Sequence, residues 1–162
     1  MELWDAYDEH FKYIKDVVLV RGEKIPEGMF HLVCEVIVKH YDGTYLLMQR
    51  DARKHLGLMW EATAGGSALK KESAIECAKR ELFEETGIQA NSLNEIGRVV
   101  QKENQSLFVE YLCMTNCDKK SIVLQEGETV AYKWVSSKEL CKMSSNELAS
   151  TRIMQFVEEL NR

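Results

Sequence analysis

Between Ser73 and Gly87 the chain specifies both ends of a helix, and it puts acid where that helix should meet a core. Ser73-Ala-Ile-Glu76 is a capping box, in which the serine hydroxyl and the glutamate carboxylate each take a free N–H of the first turn. Gly87 follows Thr86 as the left-handed residue that stops a helix. At about 100° per residue, Ala74, Ile75, Ala78 and Leu82 form one apolar face. Glu85 falls inside that arc, Glu81 at its margin, and Glu84 one step further round. Related by i+3 and i+4, the three carboxylates meet on one side. A solvated acidic face explains most such clusters, but it accounts poorly for this one. Like charges at this spacing repel, a carboxylate at a buried edge is costly, and the late turns of a helix disfavour anions. A hard cation removes all three objections. Magnesium takes oxygen ligands of this kind, usually one or two carboxylates with substrate phosphate and water.

The flanking sequence reads as strands. Leu3–Tyr7 and Phe11–Ile14 flank Asp8-Glu9-His10 as a short hairpin, and Glu23–Gly28, with the sole proline Pro26, reads as a loop. His31–Lys39 is rich in β-branched residues and suits a buried strand, turning at the two-residue signal Asp42-Gly43 into Thr44–Gln49. Trp60–Thr63 is a short strand candidate before a Gly65-Gly66 break. Strands follow at Glu95–Gln101, Leu107–Met114 and Val130–Val135, then a short helix at Lys138–Lys142 and a helix near Asn146–Leu160. Strands with separated helices predict an α/β sandwich with a mixed sheet. Without an internal repeat or a Pro/Gly/Ser-rich linker, residues 1–162 read as one domain.

Composition excludes some classes of function. A net charge of -5 argues against a general nucleic-acid binder. Met1–Asp5 carries no secretory pattern, and no stretch approaches the ~18–20 apolar residues that span a bilayer. Cys34, Cys77, Cys113, Cys117 and Cys141 lack C-x-x-C spacing, which suits reduced thiols in a cytoplasmic setting. Cys113 and Cys117 alone make a poor zinc site. An acidic chain can still take a polyanionic substrate where bound cations invert the local field.

Gly66, Glu72 and Arg80-Glu81-Leu82-Phe83-Glu84-Glu85-Thr86-Gly87-Ile88 match the Nudix box at every specified position, and the chain resembles that family. A hairpin precedes the box, and Glu128-Thr-Val-Ala-Tyr-Lys-Trp134-Val135 resembles the family's late strand. The resemblance implies the Nudix fold, an α/β/α sandwich with a mixed sheet. It also implies a hydrolase that cleaves a diphosphate bond in a nucleoside diphosphate derivative or related organic diphosphate by water attack. Glu81, Glu84 and Glu85 would hold magnesium, or manganese as a substitute, helped by the Gly65 carbonyl. Arg80 would orient a carboxylate of the box, and Glu72 would brace the loop–helix geometry or join the outer metal shell. Gly66 would allow a tight turn and Gly87 the helix stop. The partner is a small-molecule diphosphate, with no nucleic acid or membrane, and a homodimer is common in the family.

His31-Leu-Val, Gln49-Arg50, Lys54 and Trp60 resemble the isopentenyl-diphosphate-isomerase-like branch, in which residues like Arg50 and Lys54 grasp substrate phosphates. That isomerase needs a cysteine soon after the tryptophan, and Glu61-Ala-Thr-Ala-Gly-Gly66 has neither Cys nor His. Trp60 reads as core packing, and His31 and His40 carry no assigned role. Glu128, on the polar loop Gln125–Thr129, matches the position where related chains often carry a catalytic base; Glu126 is the neighbouring candidate. The proline of ADP-ribose enzymes is missing, because none follows Pro26, and Gln105 stands where dinucleoside polyphosphate enzymes carry tyrosine. Two other readings remain: an isomerase-like enzyme, or a non-catalytic nucleotide-sensing module. Such modules are expected to lose box carboxylates, and all are present here.

Overall fold

The computed structural model describes residues 1–162. In chain order the elements are β1 (Leu3–Tyr7), β2 (Tyr13–Val20), β3 (His31–His40), β4 (Tyr45–Arg50), β5 (Trp60–Glu61), β6 (Thr63–Ser67) and α1 (Ala74–Thr86). They continue with β7 (Asn94–Gln101), β8 (Ser106–Thr115), β9 (Thr129–Val135), α2 (Ser137–Lys142) and α3 (Met154–Leu160). The apolar run of β3 makes it the axis of the molecule, since a strand covered on both faces needs hydrophobic residues at both parities. It lies parallel to β8 from His31↔Ser106 to His40↔Thr115 and antiparallel to β6 from Val33↔Ser67 to Ile37↔Thr63. Past β6 it meets β4 at Lys39↔Tyr45; β5 and β9 extend the sheet from β4, and β7 edges β8.

Strand parity then sorts the core. Leu32, Cys34, Val36 and Val38 join Val109 and Tyr111 of β8 against Cys77, Ala78 and Leu82 of α1. On the opposite face Ile37, Tyr45, Leu47 and Leu112 pack on Leu140 of α2 and on Phe156 and Val157 of α3. The result is an α/β/α sandwich around a mixed sheet. β1 and β2 form a separate two-stranded sheet with its own small core of Trp4, Ala6 and Leu19. No helix is long and apolar enough to cross a membrane.

Four local expectations need correction. The N-terminal hairpin is longer than its sequence suggested, with β2 running to Val20 and a register shift at Asp5/Ala6. The β3–β4 turn holds three residues: His40 N–H donates to Thr44 O (2.8 Å), Gly43 takes φ 92°, and Asp42 Oδ1 accepts the Thr44 N–H. Gly65 and Gly66 do not break a strand but lie inside β6, opposite Glu35 and Cys34. The last helix is only α3, because Ser144–Ile153 is used otherwise. Trp60 N–H donates to Glu147 O (2.8 Å) and Ala149 N–H to Trp60 O (2.9 Å), so this backbone extends the sheet at β5. Glu147 also accepts the Ser144 N–H (2.8 Å), closing a turn where a helix would have run.

Arg152 ties this C-terminal segment to the sheet. Its guanidinium reaches both Glu35 oxygens (2.6 Å each) and Glu110 Oε1 (3.4 Å), and lies 3.6 Å over the Phe108 ring. Glu110 is fully buried and its second oxygen has no partner. Burial, then the Glu35 charge, pushes its carboxyl upward. A carboxyl raised in the fold holds its proton more tightly there, so its cost to the folded state is absent below the ordinary carboxyl range, grows as pH rises through and above that range, and is complete once pH passes about 8. Arg152→Met is expected to cost roughly 3 kcal/mol, the lower end for breaking a buried pair, because Arg152 keeps some solvent. The loss should be larger at pH 8 than at pH 5 and partly recovered by adding Glu110→Gln, as read from urea denaturation midpoints.

Candidate active site

α1 is delimited as its sequence dictates. Ser73 Oγ accepts the Glu76 N–H (3.2 Å), Glu76 accepts the Ser73 N–H (2.9 Å), and Gly87 ends the helix at φ 77°. The helix lies against β6, and the two form one wall of a cleft of about 430 Å³. Glu81, Glu84, Glu85 and Arg80 line it from α1, Gly65, Gly66 and Ser67 from β6, and Arg50, Lys54 and Glu61 from around β4 and β5. Gln125, Glu128 and Thr129 close it from the loop before β9, and Glu2 and Arg21 from the N-terminal sheet. Leu69 is the only apolar residue in the lining, so whatever binds is recognised by charge and hydrogen bonding.

Glu85 is 9% exposed, and its one donor is the Gly65 N–H at 3.3 Å. Burial, then the charges of Glu81 and Glu61, pushes its carboxyl up to about 8. Burial also raises Glu81, against the pull of Arg80. Arg80 grips Glu72 with a two-pronged pair (Nε–Oε1 2.7 Å, Nη2–Oε2 3.0 Å) and reaches Glu81 (2.8 Å) and Glu84 (3.3 Å) through Nη1. Glu72 also accepts the Leu69 N–H (2.8 Å), joining the loop after β6 to the helix. Burial would push Glu72 up, but its hydrogen bonds to Arg80 and Leu69 prevail and hold it below the usual range.

The two glycines serve close approach. A Cβ on Gly66 would stand 2.5 Å from Glu81 Oε1, and one on Gly65 would run into the Cys34 carbonyl. Neither has a positive φ, so the tight turn expected at Gly66 is a strand position where a side chain would displace Glu81.

On the facing wall each cation is paired with a carboxylate: Arg50 with Glu61, and Lys54 with Glu128. Glu128 lines the cleft, whereas Glu126 is exposed outside it. Trp60 packs at the margin of the α2–α3 core under Lys133, away from the cleft. Sequence reasoning passed over Glu61, Arg21, Glu2 and Thr129. Strand pairing of β5 with β4 brings Glu61 beside Arg50, but Arg21 and Glu2 belong to a sheet whose docking no local pattern reveals.

A hard divalent cation suits this donor set: a buried carboxylate with a single long hydrogen bond, beside two more carboxylates and peptide oxygen. The three glutamates do not converge on one point, since Arg80 draws Glu81 and Glu84 to its own side while Glu85 turns toward Gly65. A cation shared by all three would therefore compete with Arg80 for them.

Comparison with known proteins bears on the family and the fold. The NUDIX domain family model matches residues 29–156. An uncharacterized Nudix hydrolase of Listeria monocytogenes is 30% identical over 148 residues, covering 90% of this chain and 86% of its own. Among solved structures, DR0079 of Deinococcus radiodurans superposes with a TM-score of 0.78 at 16% identity, over 99% of this chain and 100% of that one. The NUDIX domain of Shewanella oneidensis NrtR, complexed with ADP ribose, gives a TM-score of 0.65 at 17% identity, over 82% and 89% of the two chains. At these identities the structures speak for the fold alone.

The glycine contact can be tested directly. Gly66→Ala is expected to keep the fold, lose no more than about 1 kcal/mol in a denaturation series, the low end for overpacking because the end of a side chain can give way, and move Glu81 off its position in a crystal structure. Wild-type stability with Glu81 unmoved would contradict the contact.

Proposed function

The chain belongs to the Nudix family and is a Nudix-type hydrolase, and from that premise we propose that its substrate is an organic diphosphate, a nucleoside diphosphate derivative by default, cleaved with magnesium. The observation that carries this reading is the buried Glu85 carboxylate, beside Glu81 and Glu84, at the edge of a cleft whose other walls hold cations. Glu81, Glu84, Glu85 and the Gly65 carbonyl would hold magnesium or manganese. When bound, the metal would neutralise the diphosphate and make water a better nucleophile. Arg80, fixed by Glu72, would keep Glu81 and Glu84 oriented, and Gly66 would leave room for Glu81. Gly87 has the structural task of ending the helix. Residues 1–162 would act as one domain, and the free state of all five cysteines fits a reducing cytoplasm.

Arg50 and Lys54 would exchange their carboxylate partners for substrate phosphates, the role that the likeness to the isopentenyl-diphosphate-isomerase-like branch suggests. Release of Lys54 would leave Glu128 free to accept the proton of the attacking water. The new P–O bond forms from that water, the bridging P–O bond breaks, and the leaving phosphate departs with its oxygen. Isomerase chemistry lacks a thiol here: Cys34 of β3 and Cys77 of α1 are buried where that helix packs on the sheet.

One panel tests these roles: magnesium-dependent release of phosphate products from nucleotide sugars, dinucleotides, nucleoside phosphates and isopentenyl diphosphate. Glu85→Gln and Glu84→Gln should lower turnover by about 10²-fold or more, and Glu128→Gln by about 10²-fold. Glu126→Gln should stay close to wild type, and no allylic product should form. Equal losses at Glu126 and Glu128 would remove the base from Glu128, and undiminished turnover in both helix variants would remove the site from α1.

A further inference from the structure

The cleft has one wall that the family match does not reach. Glu2 and Arg21 line it, yet the matched region begins at residue 29. They sit at the open end of the β1–β2 sheet, where Arg21 N–H donates to Glu2 O (3.0 Å) and its guanidinium meets Glu2 Oε2 (3.1 Å). This sheet is fastened to the segment leading into α1. Asp5 accepts the Lys71 N–H (2.8 Å), Leu3 O accepts the Lys70 N–H (2.8 Å), and Trp4 stacks on His31 at 4.2 Å. Arg21 is therefore fixed relative to the carboxylates of the helix by the same loop that Glu72 and Arg80 brace.

Its electrostatic situation differs from that of the other cations in the cleft. Arg80 is committed to three carboxylates, Arg50 to Glu61 and the His55 carbonyl, and Lys54 to Glu128. Arg21 has one partner, as Lys54 does, but its side chain is 67% exposed against 31% for Lys54, so its pair is the cheaper to exchange. The lining contains no aromatic side chain on which a nucleobase could stack. Binding energy remote from the scissile bond must then come from charge, and a further phosphate supplies it with a geometry that a guanidinium fits.

We propose that Arg21 anchors an anionic group beyond the scissile diphosphate, so that the preferred substrate is an organic triphosphate with little selection for its base. This rests on the hydrolase reading for its chemistry, but not for its binding. Glu2 is then the competitor that holds Arg21 in place between substrates. It keeps its hydrogen bond from Trp4 Nε1 (2.8 Å) in either state, and a Gln there can accept the same bond.

The test is calorimetric binding of inorganic triphosphate and diphosphate, with magnesium, to the full chain and to Arg21→Gln and Glu2→Gln, alongside KM and kcat for a nucleoside triphosphate and its diphosphate. Arg21→Gln should weaken triphosphate about tenfold more than diphosphate, as loss of one exposed charge-assisted contact does, and the change should appear in KM rather than kcat. Glu2→Gln should shift the triphosphate preference the other way, an opposite sign that damage to the hairpin would not produce. A preference unmoved by Arg21→Gln, or moved alike by both variants, overturns the proposal. Turnover without dependence on Arg21 leaves the hydrolase reading standing, whereas Arg21-dependent binding without turnover keeps the proposal and removes that reading.

Discussion

Glu85 lies on the face that α1 turns to the sheet, within reach of the charges of Glu81 and Glu61 and of a single backbone N–H. Such a placement works against folding, because an anion deprived of water and set beside other anions is costly. Much of the surrounding architecture answers to it. Arg80 and Glu72 hold the start of the acidic turn and the loop after β6 in one network, and Gly65 brings β6 close enough to donate to Glu85. Gly66 leaves the space that the Glu81 carboxylate enters. β3 supports all of this from behind, with its even-numbered residues packed on α1 and its backbone paired to both glycines.

The chain also manages the charges on the far side of the cleft. Each cation there rests on a carboxylate, so that wall is neutralised within itself, whereas the α1 wall holds three glutamates against Arg80 alone. A polyanion entering with a divalent cation would exchange every one of these pairs at once, the cation for the helix glutamates and the phosphates for Arg50, Lys54 and Arg21. Binding on these terms would re-order salt bridges that already exist.

The features that were legible in the sequence are those written locally. The capping box and Gly87 bound α1 to the residue, and the period of Ala78, Leu82 and Glu85 told which face turned inward. β3 and β8 were recognisable because strands buried on both faces read as apolar runs. The features that were not legible depend on pairing between distant segments. Asn146–Ala149 has an acceptable helical sequence, but its backbone finds better partners on Trp60. Gly66 looked like a turn glycine because its true reason, the arrival of Glu81, lies fifteen residues downstream in a different element. Arg21 could not be found at all, since only the docking of the N-terminal sheet on Lys70 and Lys71 carries it to the cleft.

The site depends on the helix carboxylates receiving a cation, and thermal unfolding with and without divalent metal tests that most directly. Magnesium or manganese at about a hundredfold excess over its Kd should stabilise the wild-type chain by about 2.7 kcal/mol, the linkage expected for one site present only in the folded state. Glu85→Gln should lose most of that response while remaining as stable as the wild type in chelator, or more so, because a buried charge has been removed. A wild-type chain indifferent to divalent metal, or a Glu85→Gln chain stabilised by it to the same extent, would contradict the assignment of the cation to α1.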